Sequence, residues 1–281
     1  MNQLKLKQLL QQFFIEDIGE LDVTSESIFP SGMQGEGRFM VKDDGIIAGM
    51  NIIREGYSLL DSEIKVETHV SDGDNVKKGD IIATVQGPMG LLLTGERVIL
   101  NLLQRMSGIA TLTHQAVSTL NSDHTRICDT RKTTPGLRML EKYAVTCGGG
   151  YNHRLGLYDG VMIKDNHISF AGSITKAVEA VRARLGHMVK IEVETETREQ
   201  VLEAIKARAD IIMFDNRSPK EVSEFVKLVP ENIATEASGG ITLETLGDYR
   251  HTGVDYISLG MLTHSVGALD ISFNAGEKGE N

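Results

Sequence analysis

From about residue 110 onward the chain alternates short apolar runs with amphipathic stretches, and that rhythm leaves few folds open to it. The apolar runs, at 126–129, 160–163, 189–194, 209–214, 232–237 and 255–259, have the length of strands. Between them, helical periodicity is read at 171–185, 198–207, 219–228 and 243–251. A strand–helix unit repeating every 20 to 35 residues or so is the signature of parallel βαβ steps. Six strands are visible, so a closed eight-stranded barrel would need two more. An incomplete barrel and an open doubly wound sheet both satisfy the pattern.

The first third reads differently. Short strands at 37–41, 64–68 and 80–85 are cut by the turn signals Lys42-Asp43-Asp44-Gly45 and Ser71-Asp72-Gly73-Asp74-Asn75. Helices are expected at 50–60 and 91–104. Leu6, Leu9, Leu10, Phe13 and Phe14 recur at helical spacing, which makes the N-terminus an amphipathic helix and not a signal peptide. The expected division is a domain at 1–109 and a second at 110–264, with the tail 265–281 packing back on the first. Its last five residues, 277–281, read as disordered.

At 281 residues, 41% hydrophobic and 24% charged, the chain is ordinary for a soluble protein. A formal net charge of -10 with no basic run argues against nucleic-acid binding. It also means that positive charge, where an anionic substrate needs it, must be concentrated in one place. No apolar run approaches the length of a membrane span. Cys128 and Cys147 fall outside any CxxC or Cys/His metal pattern and are expected to be reduced thiols in a cytoplasmic protein.

Parallel α/β folds collect function at the C-terminal ends of their strands. Here those ends read Asp129-Thr130-Arg131-Lys132, Lys164-Asp165-Asn166-His167, Glu194, Asp215-Asn216, Ser238-Gly239-Gly240 and Gly260. Polar loops account for one or two such signatures, but not for charges placed directly after four apolar strands. In Lys190-Ile191-Glu192-Val193-Glu194, alternation puts the charged residues on one face and Ile191 and Val193 on the other. If the apolar face meets helices, Glu192 and Glu194 point into a barrel, where buried charge must be paired or functional. The alternative is an edge strand with a wet polar face. Ser238-Gly239-Gly240 before a helix near Thr242, and Gly260 one unit later, suit a phosphate cradle of backbone N–H groups. Gly148-Gly149-Gly150-Tyr151-Asn152-His153-Arg154 sets two basic side chains after an unusual backbone. Near Arg131 and Lys164, Arg154 would offer bidentate recognition to a planar carboxylate substrate.

With these residues the chain resembles the quinolinate phosphoribosyltransferase family over nearly its whole length. The resemblance is carried by Leu93-Thr94-Gly95-Glu96-Arg97, Ser107-Gly108-Ile109-Ala110-Thr111, Asp129-Thr130-Arg131-Lys132-Thr133-Thr134-Pro135-Gly136 and the glycine loop through Arg154. Ile163-Lys164-Asp165-Asn166-His167, Asp215-Asn216 and Glu236-Ala237-Ser238-Gly239-Gly240 continue it in order. The resemblance implies an N-terminal α/β sandwich, an incomplete TIM-like α/β barrel of six strands, and a homodimer with shared active sites, higher oligomers being left open. It implies a decarboxylating pentosyltransferase of de novo NAD biosynthesis. Quinolinate and phosphoribosyl pyrophosphate would give nicotinate mononucleotide, pyrophosphate and carbon dioxide.

By position, Arg131, His153, Arg154 and Lys164 match the quinolinate pocket, and Arg97 a residue supplied by the partner subunit. Lys132 matches a basic residue near the pyrophosphate. Glu194 and Asp215 match carboxylates facing the ribose and a magnesium ion held mainly through substrate, with Glu192 as the alternative register for Glu194. Ser238, Gly239, Gly240 and Gly260 would hold phosphate. Lys164 or Lys132 would stabilise or protonate the carbon left by decarboxylation. Two rival readings are a sister phosphoribosyltransferase for nicotinate or another ring, and a carrier module. The latter rests on Val70–Ile82, which resembles the turn of biotinyl and lipoyl domains but shows no modifiable lysine between hairpin strands.

Overall fold

Strict alternation of exposure along Gln34–Val41 makes one face of that strand a core surface, and the first unit is built on it. The computed structural model describes residues 1–30 and 32–276, which divide into two compact units. The first comprises Met1–Leu112, Met139–Gly149 and the chain from Val266. It carries β1 (Gln34–Val41), β2 (Gly45–Ile46), β3 (Lys65–Thr68), β4 (Asn75–Val76) and β5 (Ile81–Pro88). The second, Thr113–Arg138 with Gly150–Ser265, carries β6 (Arg126–Cys128), β7 (Val161–Ile163), β8 (Ile191–Thr195), β9 (Ile211–Asp215), β10 (Ala234–Ser238) and β11 (Tyr256–Ser258). A last strand, β12 (Ile271–Gly276), returns to the first unit. Residues 277–281, read as a disordered tail, lie outside the described residues.

In the first unit the antiparallel order is β12-β1-β5-β3, and Phe39, Val41, Ile82 and Val85 are its buried face. Helix Met50–Leu60 turns Ile52, Ile53, Gly56 and Tyr57 inward, and helix Gln3–Ile18 turns in Leu6, Leu10 and Phe14. The Tyr57 hydroxyl is buried and donates to the Leu92 carbonyl at 2.9 Å, so its one polar atom is satisfied. The 70–82 segment is a turn solution: Gly73 and Gly79 take φ of 94° and 96°, and Val76 is buried. Asp72 Oδ1 accepts the Gly49 and Met50 amides at the start of helix Met50–Leu60, and Oδ2 accepts the Tyr143 hydroxyl at 2.6 Å. The segment therefore serves the fold.

Two helices of the first unit depart from expectation. The helix read at 91–104 extends over Met89–Leu120, 32 residues. Helix Arg138–Cys147 falls within the stretch read as barrel, yet Met139–Gly149 groups with the first unit. It is tied there by the Tyr143–Asp72 bond and by an ion pair in which Arg105 donates from Nε and Nη2 to the buried Glu141 Oε1 at 2.8 and 2.6 Å.

In the second unit all pairings are parallel, in the order β6-β11-β10-β9-β8-β7. That is the cyclic order of a six-stranded barrel with one seam, between β6 and β7, left without a strand pair. At the seam an isolated bridge joins Cys128 to Tyr151. Helices between the strands start where the chain supplies caps. Ser173 accepts from the Lys176 amide, and Thr197 with Gln200 and Ser218 with Glu221 form capping boxes. Outward residues such as Ile191, Val193, Ile212 and Phe214 are buried with Val201, Ala204, Val222 and Phe225 of those helices. β8 is central, so Glu192 and Glu194 belong to its inward face and the edge-strand alternative falls away. Neither cysteine is in a disulfide, and no described helix is long and apolar enough to cross a membrane.

Removing one partner of a buried ion pair leaves the other charge uncompensated. Glu141→Ala should therefore lower unfolding free energy by about 3 kcal/mol, read from the midpoint and slope of a urea titration. An unchanged midpoint would mean that the pair contributes nothing net.

Candidate functional site

Because every strand of the second unit runs the same way, their C-terminal ends share one rim, and the side chains after them converge there. They line a cavity of about 940 Å³. Among its lining residues are Arg131, Lys132, His153, Arg154, Lys164, Glu194, Asp215, Ser238, Gly239, Gly240 and Gly260. These are eleven of the twelve residues singled out from sequence. Arg97 belongs to the first unit, where it is exposed on helix Met89–Leu120 with its guanidinium 3.4 Å from Glu96.

The rim has three sectors. Cations come from the chain after β6 and β7. Asp129, fully buried, accepts from Asn152 Nδ2 at 2.6 Å and from the His153 amide at 2.9 Å. Gly149, at φ 87°, lets the loop turn into that position. The loop is thus held to the end of β6, and with it Arg154. Arg154 Nη1 donates to the Gly160 carbonyl at 2.9 Å, whereas Arg131 Nε and Arg154 Nε are buried with no partner among the described residues. Burial, and then the nearby Arg131 charge, push the Arg154 pKa down. Two guanidinium groups with unanswered donors are what a carboxylate-binding pocket requires before its ligand arrives.

Carboxylates come from β8 and β9. Glu194 lines the cavity and is ion-paired with Lys164, while Glu192 is turned deeper, toward His153. Burial raises the Glu194 pKa against the opposing effect of Lys164, and the charge of Asp215 raises it further. Two neighbouring carboxylates without a His/Cys set are hard oxygen donors, a chemistry that fits magnesium better than zinc.

The third sector is backbone. Gly239 has φ 87° and Gly240 φ 66°. A Cβ on Gly239 would meet Asn216 Oδ1 at 2.3 Å, so only glycine fits. The Ser258 hydroxyl donates to Ser238 Oγ at 2.9 Å, tying the ends of β10 and β11. The helix expected at 243–251 is one α-turn, Leu243–Leu246, followed by a 3-10 turn. So short a helix has little dipole. Anion affinity here falls to the exposed loop amides and to Lys132, whose Cδ lies near Gly260.

His153 lines the cavity but is also held within the protein. Its Nδ1 accepts the Arg154 amide at 2.8 Å, so the ring proton is on Nε2, which faces Glu192 Oε2 at 2.8 Å. Both nitrogens are engaged within the protein. Sequence reasoning missed His264, which lines the cavity on the turn after Gly260, and Glu236, which lines it from inside β10. A histidine one turn beyond a strand-end glycine was a usable signal for the first. Glu236 lay in a quoted motif, but its inward orientation needed the register of the sheet.

Comparison with known proteins gives a consistent result. The family model described as "Quinolinate phosphoribosyl transferase, C-terminal domain" matches residues 109–274, and its N-terminal counterpart matches 22–107. A Bacillus subtilis (strain 168) protein named "Probable nicotinate-nucleotide pyrophosphorylase [carboxylating]" is 61% identical over 98% of this chain and 94% of its own. A Nicotiana glauca "Quinolinate phosphoribosyltransferase [decarboxylating] 2, mitochondrial" is 44% identical over 95% of this chain and 81% of its own. The crystal structure of NadC from Streptococcus pyogenes superposes with a TM-score of 0.95 at 38% identity, covering 98% of each chain.

Proposed function

The chain belongs to the quinolinate phosphoribosyl transferase family, and on that footing we propose that it is a decarboxylating pentosyltransferase. It joins quinolinate to phosphoribosyl pyrophosphate, forming nicotinate mononucleotide, pyrophosphate and carbon dioxide in NAD biosynthesis. The observation that carries the reading is the pair of buried, unanswered guanidinium donors on Arg131 and Arg154, set beside Lys132 and Lys164 in one cavity.

Arg131 and Arg154 bind and orient the two substrate carboxylates, bringing the ring nitrogen toward the sector of Glu194 and Asp215. These carboxylates face the ribose, where an oxocarbenium-like charge develops as pyrophosphate departs. Lys132 and the amides of Gly239, Gly240 and Gly260 take up the phosphate charge. Once the nitrogen is joined to ribose it is cationic, and the bond to the 2-carboxylate breaks with its electron pair left beside that charge. Lys164 or Lys132 stabilises the carbanion or gives it a proton. Glu194 and Asp215 would hold magnesium, largely through substrate oxygens, and when bound it supplies charge neutralisation for the leaving pyrophosphate.

A homodimer with shared sites is part of the proposal, with Arg97 reaching the partner subunit's cavity. Its support is the family resemblance and an exposed arginine engaged only by Glu96 in the geometry described. A cytoplasmic setting is supported by the two cysteines outside any disulfide.

Selectivity tests the central reading. A monoanion leaves at least one buried cation unpaired, at a cost of roughly 2–5 kcal/mol, or about thirty- to several-thousand-fold. Quinolinate should exceed nicotinate in kcat/KM by that margin, and Arg131→Ala or Arg154→Ala should narrow the gap by weakening quinolinate. Phthalate, with both carboxylates and no ring nitrogen, should compete without reacting. Equal use of nicotinate together with inert phthalate would overturn the assignment.

Activity should vanish with a chelator and return with magnesium; full turnover in excess EDTA contradicts the metal role. Arg97→Ala and Lys164→Ala should each be nearly inactive, yet co-refolded mixtures should recover part of the activity. Mixtures as inactive as either parent would place Arg97 in its own subunit's site or in the fold alone.

A further inference from the structure

Beneath the cations, the barrel interior holds two carboxylates that the mechanism above does not use. Glu192 on β8 and Glu236 on β10 are 3% and 4% exposed. Both face His153 Nε2, at 2.8 and 3.8 Å. The Oε1 atom of each is buried without a hydrogen-bond partner among the described residues. One histidine nitrogen and two carboxylate oxygens within 4.8 Å of one another have the composition of a metal cage. The tautomer rules that out. With Nδ1 accepting the Arg154 amide, Nε2 carries the proton and has no lone pair for a metal.

What lies there instead is one N–H donor between two carboxylates, and only Glu192 is within hydrogen-bonding distance of it. Two buried carboxylates with oxygens within 4.8 Å of one another, and a single N–H between them, disfavour two negative charges. Glu236 is the one without the N–H. The groups facing it are Glu192, the buried Asp129, His153 and the hydroxyl of Ser258. A bond from that hydroxyl would favour the charged form, but its hydrogen is given to Ser238 and burial is the larger effect. Burial, and then the charge of Glu192, hold the Glu236 carboxyl protonated well above the usual carboxylate range.

We propose that Glu236 is a positioning residue of the dicarboxylate pocket, a carboxylic acid that leaves Glu192 alone to lock His153 and, through Nδ1, the backbone of Arg154. Glu236 lines the substrate cavity, so a charge on it would oppose a dianion there and draw the two arginines away from it. A second cavity of about 750 Å³, at the N-terminal ends of the strands, is lined by Arg126, Lys190 and Asp255 and also reaches Glu236, His153 and Arg154. That cavity offers the carboxyl a route to solvent on the side away from the substrate.

This inference rests on the quinolinate reading, and its test separates the two. Phthalate affinity is measured by calorimetry, without turnover, alongside KM for quinolinate at saturating phosphoribosyl pyrophosphate, from about pH 6 to about pH 9.5. Only the protonated form of Glu236 accepts the dianion. Wild-type Kd and KM should thus be flat at low pH and rise toward about tenfold per pH unit once Glu236 ionises, with kcat changing less. Glu236→Gln preserves shape and neutrality; it should keep both constants within about threefold of wild type near neutrality and abolish the alkaline rise. An identical rise in the Gln variant, or none in wild type, overturns the proposal. Loss of phthalate binding at every pH in wild type instead removes the dicarboxylate reading itself. Independently of any variant, nitrogen-15 spectra of the unliganded protein should show His153 protonated at Nε2 only. A doubly protonated or Nδ1–H ring would refute the lock.

Discussion

The site depends on Asp129. A carboxylate with no exposure must be answered by donors, and this one is answered by Asn152 and the amide of His153. The consequence is topological. Between β6 and β7 the barrel order has no strand pair, so backbone hydrogen bonding does not close it there. Asp129, with the backbone bonds of the Cys128–Tyr151 bridge, fixes the loop that delivers Arg154 to the open edge of β6.

Charge in the cavity is sorted by strand, and the sorting follows from parallel topology. Successive strand ends lie side by side on one rim, so residues distant in sequence form adjacent sectors: guanidinium and ammonium groups after β6 and β7, carboxylates on β8 and β9, open backbone after β10 and β11. An acidic chain can hold two anionic substrates because its positive charge is gathered in one sector while its net charge of -10 is spread elsewhere. The ion pair of Lys164 with Glu194 lessens the cost of burying the Glu194 carboxylate in the cavity wall.

Much of this was legible before any coordinates. Apolar runs of strand length, ending on Arg131, Lys164, Glu194, Asp215, Ser238 and Gly260, located the rim because strand ends in such folds share a face. Alternation in β8 correctly separated Glu192 and Glu194 from Ile191 and Val193, since a period of two is a property of extended backbone. Helix Met50–Leu60 is legible to its observed bounds because its apolar spacing stands between clear turns. Helix Arg138–Cys147 was missed as part of the first unit, because its attachment includes the Arg105–Glu141 pair, made across 36 residues of sequence. His153 reads in the sequence as one of two adjacent basic side chains, and its contact with Glu192, 39 residues away, is not legible there.

The sequence by itself determined which residues could meet on one rim, since periodicity and strand-end chemistry are local and survive in a one-dimensional reading. It also determined, through its motifs, the family to which the chain belongs. Tertiary structure decided protonation and partnership: which of two adjacent glutamates reaches the cavity, which nitrogen of His153 bears the proton, and which buried carboxyl goes without it. Those outcomes depend on burial and on distances of a few ångströms between residues far apart in the chain. Solvation and Coulomb energies at such sites change by several kcal/mol over that range, and no local pattern encodes them.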